Sequence, residues 1–344
     1  MIPEQNIRSF NLCLLGFGNV NRALVRLLVD RSTTLREQYG ISWRITGVAT
    51  RRLGWRASPE GFDPGVLSEA TDWKSVSQVE PAPKNVTDWL RAARADVLFE
   101  GTSLNARNGE PAIEHIRAAL QHGAHAITAN KGPVVHAYDE LRAFADKNGR
   151  RFLFESTVMD GAPIFSMFRE NLPTVQVKAF RGILNSTSNV ILTGMEQGLS
   201  FEESLKKAQE MGIAETDPSD DIDGWDAAVK TAALARVLMD VPVELNRIER
   251  QGIRELSGET VRAARAAGRP YKLVCRATRD GKTLVASVRP EQVPLSDALA
   301  QVSGTSSVVY FETDIFPGLA ITENNPGLET TAYGMLADFI RAVT

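Results

Sequence analysis

The feature that most constrains the fold of this 344-residue chain lies near its start. The apolar run Asn11 to Leu15 meets Gly16-Phe17-Gly18-Asn19-Val20-Asn21, after which Leu24, Leu27 and Leu28 recur at helical spacing. An apolar run, two glycines and a helical period read as strand, tight turn and helix. The first glycine permits the turn, and the second lets the backbone approach a pyrophosphate at the helix N-terminus. Asn21 stands where a Gly-x-Gly-x-x-Gly pattern has its third glycine. That glycine ordinarily allows close helix–strand packing, so the larger side chain predicts a displaced helix or crowding near a dinucleotide. Alone, the motif is as well explained as a plain turn, and its surroundings must decide.

The surroundings alternate. Strands are expected at Arg44 to Thr50, Asp96 to Glu100, His125 to Ala129 and Arg151 to Glu155, with helices over Glu110 to Gln121 and about Tyr138 to Lys147. Alternating strands and helices imply an α/β fold with a mostly parallel, doubly wound sheet, whose ligands bind at the carboxyl ends of the strands. Gly54 to Pro83, rich in Pro, Gly, Ser and charges, reads as a surface excursion.

After Val158 the texture changes. Pro163, Ile164, Met167 and Phe168 are expected to start a helix, and Val175 to Leu184 reads as an alternating strand. Ser200 and Glu203 form a capping box for a helix closed by Gly212. An acidic loop from Glu215 to Asp223 precedes a long helix from about Trp225 to Met239. Strands follow at Leu273 to Thr278, Leu284 to Val288 and Ser307 to Thr313, and a terminal helix over about Thr331 to Ala342. A chain of this length exceeds what one core usually organises, which predicts two domains.

Composition removes other classes. Hydrophobic residues at 43% and charged residues at 24% are ordinary for a globular protein, and a net charge of −3 without a basic cluster argues for a small-molecule partner and against nucleic acid. The first apolar run is too short for a signal peptide or a membrane span, so a cytoplasmic protein with no membrane partner is expected. Cys13 and Cys275 are expected to pack as small hydrophobes. His115, His122, His125 and His136 lack the spacing of a transition-metal site and read as surface helix and loop positions.

Several residues bear on chemistry. The second strand ends in Thr50-Arg51-Arg52, where an NAD enzyme would place a carboxylate on the ribose; the arginines favour a 2′-phosphate and hence NADP, or they are solvated loop residues. Thr102 and Ser103 follow the third strand, and Asn130 and Lys131 follow the next, all at carboxyl ends. Farther on, Gly212 to Asp226 concentrates carboxylates ahead of Lys230, with Asp226 and Lys230 four apart and therefore on one helix face. Two readings stand side by side, a substrate site or an acidic helix start with a surface ion pair.

That segment, together with Leu184-Asn185-Ser186-Thr187-Ser188-Asn189, Ala129-Asn130-Lys131 and the glycine turn, resembles the homoserine dehydrogenase family in order and over essentially the whole chain. The resemblance implies a Rossmann-type doubly wound domain at 1–155, a second α+β domain for substrate binding and dimerisation at 156–325, and a segment at 326–344 returning to the first. It implies reversible NAD(P)-dependent interconversion of L-aspartate 4-semialdehyde and L-homoserine, a step of threonine, methionine and isoleucine biosynthesis. Lys230 is then the proton donor and Lys131 a second active-site lysine, with Glu215, Asp226, Asp221 and Thr187 as substrate residues. The cofactor residues are Gly16, Phe17, Gly18, Asn19, Val20, Arg51, Arg52, Thr102, Ser103, Asn130, Lys131 and Gly327, the last in the Pro326-Gly327 loop before Thr330-Thr331-Ala332.

Glu155-Ser156-Thr157-Val158-Met159-Asp160-Gly161-Ala162-Pro163 is similar to the family's monovalent-cation loop. The carbonyls of Glu155, Val158, Asp160 and Ala162 would bind an ion such as sodium or potassium, although Met159 and Asp160 replace small residues and a structural turn is an equal reading. Ser186 likewise replaces a glycine. The resemblance implies a homodimer through the second domain's sheet. Many members carry a regulatory domain or a fused kinase; this sequence ends soon after Ala337-Asp338-Phe339-Ile340, which predicts a short catalytic form with little inhibition by L-threonine. The competing functions are a reductase of another small semialdehyde and a non-catalytic NADP(H)-binding sensor.

Overall fold

The computed structural model describes residues 7–69, 82–281 and 283–344. It divides into two compact units, Met1–Pro163 with Gly327–Thr344, and Ile164–Pro326.

The first unit is built on six strands, β1 (Arg8–Leu15), β2 (Ile41–Thr50), β3 (Gly54–Phe62), β4 (Val97–Glu100), β5 (His125–Thr128) and β6 (Phe152–Leu153). Their helices are α1 (Asn19–Asp30), α2 (Ser32–Tyr39), α3 (Pro64–Glu69), α4 (Val86–Ala92), α5 (Ala112–His122) and α6 (Lys131–Lys147). The sheet order is β3-β2-β1-β4-β5-β6, parallel throughout except for the antiparallel edge strand β3. The order reverses at β1, which lies between β2 and β4, and ligands of such sheets bind at that switch point. The two-residue period of β1 explains the layering. Leu12 and Leu14 join the core on one face with α1, while Cys13 and Leu15 join the core on the other with α4.

The excursion expected at Gly54 to Pro83 is corrected over its first part. Residues 54–62 form β3, and α3 follows; residues 70–81 of that stretch lie outside the described residues, as do residues 1–6 of the polar N-terminus. The register jumps from Ile45↔Phe62 to Gly47↔Ala57, so Pro59 and Gly61 sit in a bulge. An edge strand needs only one ladder and tolerates proline there. The strand expected over Arg151 to Glu155 shrinks to Phe152–Leu153, because the chain turns at Phe154 into a 3-10 turn over Glu155–Thr157. The helix read from Tyr138 begins earlier, at Lys131. It is interrupted at Ala137, where φ is −141°, and this break hides its first turns from a search for a continuous period.

The second unit contains β7 (Val177–Ile183), α7 (Ser186–Glu196), α8 (Phe201–Glu210), α9 (Ser219–Ile222), α10 (Trp225–Leu238), β8 (Glu249–Arg250), α11 (Gly258–Ala266), β9 (Tyr271–Asp280), β10 (Thr283–Gln292), β11 (Ser307–Thr313) and β12 (Leu319–Glu323). Its sheet runs β12-β11-β7-β9-β10-β8, antiparallel except at the β10–β8 edge. The capping box at Ser200 and Glu203 forms as expected. The helix expected from Pro163 is instead a short π-helical turn over Met167–Asn171. On one face of the sheet α10 lies close because its buried side is mostly alanine, and Cys275 of β9 sits 3.9 Å from the Ala227 carbonyl.

The last helix, α12 (Leu328–Val343), belongs to the first unit. Its Ala332, Met335, Leu336 and Phe339 enter the α1 side of that core, with the Phe339 ring 5.9 Å from Phe10 and 6.0 Å from Phe99. Among the described residues no helix is long and apolar enough to cross a membrane.

Candidate active site

In the first unit, β1 ends at Leu15 and the chain turns through Gly16 at φ +78°, a conformation that glycine adopts without strain. The Gly16 N–H donates to the Ala49 carbonyl at 2.9 Å, and a Cβ on Gly16 would lie 2.4 Å from the Gly101 oxygen. Gly18 caps α1 without any side-chain cap, and a Cβ there would meet nothing within 4 Å. The N-terminus of a 12-residue helix thus faces open space with no side chain bonded across it, which fits a pyrophosphate. Phe17 is buried under the Arg22 guanidinium, 5.2 Å from the ring, Asn19 is exposed and Val20 half-buried.

Asn21 is bonded directly to the turn. It is buried, and its Nδ2 donates to the carbonyls of Gly16 at 3.0 Å and Leu15 at 3.3 Å, tying helix to strand. Hydrogen bonds here do what close packing onto glycine does elsewhere.

The ends of β4 and β5 are joined by a carboxylate that sequence reasoning left without a role. Glu100 is fully buried; one oxygen accepts from the Thr102 N–H at 2.8 Å and from the Thr102 hydroxyl, the other from the Thr128 hydroxyl at 2.7 Å. Burial pushes its carboxyl up from the ordinary range, and the donors of Thr102, Thr128 and Asn130 pull it back. Asn130 caps α6 through Gly132 N–H at 3.0 Å and reaches the carbonyls of Thr102 and Ser103 at 3.3 and 3.4 Å. Thr102, Ser103, Asn130 and Lys131 are therefore assembled at one edge, with Lys131 half-buried at the first position of α6. Arg51 and Arg52 are exposed in the turn after β2, where Thr50 Oγ1 accepts from Leu53 N–H at 3.0 Å.

The loop 155–162 is bound to α12 within the same unit. The Glu155 N–H donates to the buried Asp338 at 2.8 Å, and Arg341 lies 3.7 Å from the Glu155 carboxylate. Ser156 Oγ donates to the Thr331 carbonyl at 2.7 Å, and the Thr331 hydroxyl donates to Asp160 Oδ1 at 2.7 Å. Asp160 takes φ 45°, and a Cβ on Gly161 would lie 2.2 Å from the Thr330 oxygen. The Asp160 carboxylate is thus spent on Thr331, and Val158 and Ala162 flank it in the same loop. Gly327 is exposed at the start of α12, with open space where its Cβ would be.

The second unit holds the lysine and the carboxylates. Gly224, at φ +81°, lets the chain turn from α9 into α10, and Arg254 grips Asp223 there with bonds of 2.9 and 3.0 Å. Asp226 and Lys230 occupy successive turns of α10; the Lys230 amine lies 3.1 Å from Asp226 Oδ2 and donates to the Leu184 carbonyl at 2.7 Å. The Asp226 and Lys230 side chains are 17% and 18% exposed, which removes the surface ion-pair reading, because a pair this enclosed is poorly screened. Burial and the Asp226 charge push the Asp221 carboxyl up, while Asn185, Thr187 and Lys230 pull it down. Thr187 is buried, its hydroxyl 3.4 Å from the Ile213 carbonyl. Glu215 stands on the exposed loop, its backbone carbonyl held by Gln209 at 3.1 Å; among the described residues no hydrogen bond or ion pair joins its carboxylate to the cluster.

The structure therefore brings together Lys230, Asp226, Asp221 and Thr187, and adds Asn185 and the Leu184 carbonyl. The added pair lies on the approach to α7, and nothing in the sequence links it to an aspartate 36 positions away. An ammonium held between a carboxylate and a carbonyl, partly exposed, is equipped to deliver and retrieve a proton.

Comparison with known proteins supplies the chemistry. Residues 16–155 match the family profile described as homoserine dehydrogenase, NAD binding domain, and residues 163–340 match that described as homoserine dehydrogenase. The chain is 34% identical to the NAD(+)-dependent homoserine dehydrogenase of Pseudomonas canavaninivorans, over 96% of each chain. It is 33% identical to the homoserine dehydrogenase of Methanocaldococcus jannaschii, over 96% of this chain and 97% of that one. A hyperthermophilic archaeal homoserine dehydrogenase mutant solved in complex with NADPH superposes with a TM-score of 0.82 at 28% identity, covering 97% of this chain and 98% of that one. With both units matched and the relatives aligned nearly end to end, the chain belongs to the homoserine dehydrogenase family.

Proposed function

We propose that the chain interconverts L-homoserine and L-aspartate 4-semialdehyde with Lys230 as the group that gives and takes the alcohol proton. The carrying observation is the Lys230 amine held between Asp226 Oδ2 and the Leu184 carbonyl. Membership of the family makes the chain an NAD(P)-dependent dehydrogenase acting on a CH–OH group. The glycine turn and the uncapped start of α1 would hold the dinucleotide, with Thr102, Ser103, Asn130 and Gly327 proposed as further contacts. When bound, the nicotinamide exchanges a hydride with the substrate carbon. In reduction the charged Lys230 donates to the developing alkoxide, and in oxidation the neutral amine accepts the alcohol proton. Asp226 favours the charged lysine, because an opposite charge close by stabilises it. Asp221 and Glu215 are assigned to the substrate ammonium, Thr187 to substrate contact, and Lys131 to a second active-site lysine.

Arg51 and Arg52 favour NADP, and no acidic residue stands beside them in the turn. Both cofactors occur among the names of its relatives, so the test uses both. Cofactor absorbance is followed with L-homoserine and each oxidised cofactor, in sodium, potassium and choline salts. Turnover of L-homoserine supports the assignment; tight NADP(H) binding without turnover supports a sensor, and turnover of another semialdehyde alone supports a different reductase. A monovalent cation would rest on the carbonyls of loop 155–162, and equal rates in all three salts would reject it. Replacing both arginines by alanine should weaken NADP binding more than NAD binding; equal loss for both would reject NADP preference.

The second unit is proposed to form a homodimer through the sheet face opposite α10. Segment 293–302 covers Ile183, Val274 and Val308 at one end of that face, while Val285 is 64% exposed toward the other. Light scattering is expected to give a dimer at micromolar concentration, and a stable monomer would sink the idea. A cytoplasmic setting agrees with two buried, unpaired cysteines, Cys13 and Cys275.

A further inference from the structure

Asn185 is 4% exposed and the mechanism above gives it no part, yet it sits at the centre of the charged cluster. Its Nδ2 donates to two carboxylates at once, Asp221 Oδ1 at 2.6 Å and Asp226 Oδ2 at 3.0 Å. Its Oδ1 accepts from the Ser188 N–H at 2.8 Å and so caps α7. Only one orientation of the amide satisfies this pattern. Turned over, its carbonyl would face two carboxylate oxygens and its NH2 would face a backbone N–H.

We propose that Asn185 is a positioning residue for proton transfer, its amide a neutral clamp that holds Asp221 and Asp226 side by side and keeps Asp226 Oδ2 aimed at the Lys230 amine. The inference rests on the reading of Lys230 as the proton shuttle. Two carboxylates sharing an enclosed site repel, and one takes up a proton unless donors stabilise both charges. Asp221 feels this directly: burial and Asp226 raise its pKa, against the Asn185 and Thr187 donors and Lys230. Other ionisable groups among the described residues face the pair as well. Lys230 lies on α10, and the Cys275 thiol on β9 is pushed up to about 11 chiefly by burial. The Asp223–Arg254 pair holds the α9–α10 junction next to them.

The clamp has a consequence for pH. With both carboxylates charged, the lysine keeps its proton to a higher pH than it would beside one. Without the clamp the carboxylates share a proton or swing apart, and the hold on the lysine weakens. A carboxylate in place of the amide removes both donors and adds a third acid to the pair, so the clamp is lost there too.

Asn185→Ser keeps a capping oxygen for the Ser188 N–H but is too short to span both carboxylates, and Asn185→Asp keeps the size and the cap while replacing the donor by an acceptor. The pH dependence of L-homoserine oxidation is measured for the full-length enzyme, both variants and Lys230→Met, with cofactor titration and thermal denaturation on each. The pH of half-maximal rate is expected to move down by about one unit in Asn185→Ser. The maximal rate of each should fall about tenfold with cofactor affinity retained. An unmoved or raised midpoint in Asn185→Ser, or unchanged rates in either variant, would overturn the clamp. Turnover in Lys230→Met would overturn both the clamp and the shuttle; inactive Lys230→Met beside an unmoved Asn185→Ser midpoint would overturn the clamp alone.

Discussion

Lys230→Met is expected to lower turnover by roughly 10²–10⁴, the usual contribution of a positioned general acid or base. Methionine keeps much of the side-chain length and its apolar stem, so α10 should hold its place. What disappears is the transferable proton and the bond to the Leu184 carbonyl. Asp226 loses a cation 3.1 Å away but keeps the Asn185 amide, so the remaining carboxylate stays hydrogen-bonded. Cofactor affinity should barely change, because the glycine turn belongs to the other unit. Single-turnover kinetics and cofactor titration on the same folded variant check both halves of the expectation. Turnover near wild type would route the proton elsewhere, with Lys131 the next group to replace.

Gly16→Ala is expected to cost about 2–4 kcal/mol, combining about 1 kcal/mol for a side chain at positive φ with about 1–3 kcal/mol for overpacking. The overpacking is against backbone, with Gly101 O at 2.4 Å and Thr102 N at 2.7 Å from the added carbon, so no side chain is able to swing aside. The ends of β1 and β4 must part, and the edge organised by Glu100 and Thr102 moves with them. Tm should drop and cofactor affinity should fall by at least tenfold. Gly18→Ala is the control. At φ −89° its Cβ enters open space, so Tm should hold while the cofactor loses room at the start of α1. Wild-type Tm and affinity in Gly16→Ala would contradict the turn geometry.

Much of this was legible in the linear sequence because it depends on neighbours. The turn at Gly16 and Gly18, the capping box at Ser200 and Glu203, and β11 over Ser307–Thr313 follow from periodicity, glycine and local side-chain bonds within a few residues. Asp226 and Lys230 share a face because α10 has a helical repeat, so that pairing too was local. The edge strand β3 was hidden because its Gly, Ser and Pro content signals turns, and only pairing with β2 makes it a strand. The start of α6 was hidden by the break at Ala137.

Tertiary structure alone decided what enclosure and long-range bonding decide. Local spacing left Asp226 and Lys230 open to a surface reading; their exposure of 17% and 18% comes from packing that no window of sequence contains. Asn21, a departure from pattern in the sequence, becomes a strut because Leu15 and Gly16 present carbonyls to it. Glu100 becomes an organiser through Thr128, and Asn185 a clamp through Asp221 and Asp226, across 28, 36 and 41 residues. A side-chain amide or carboxylate has the same local signature wherever it points, so its partners are fixed only when burial removes water as the competing one.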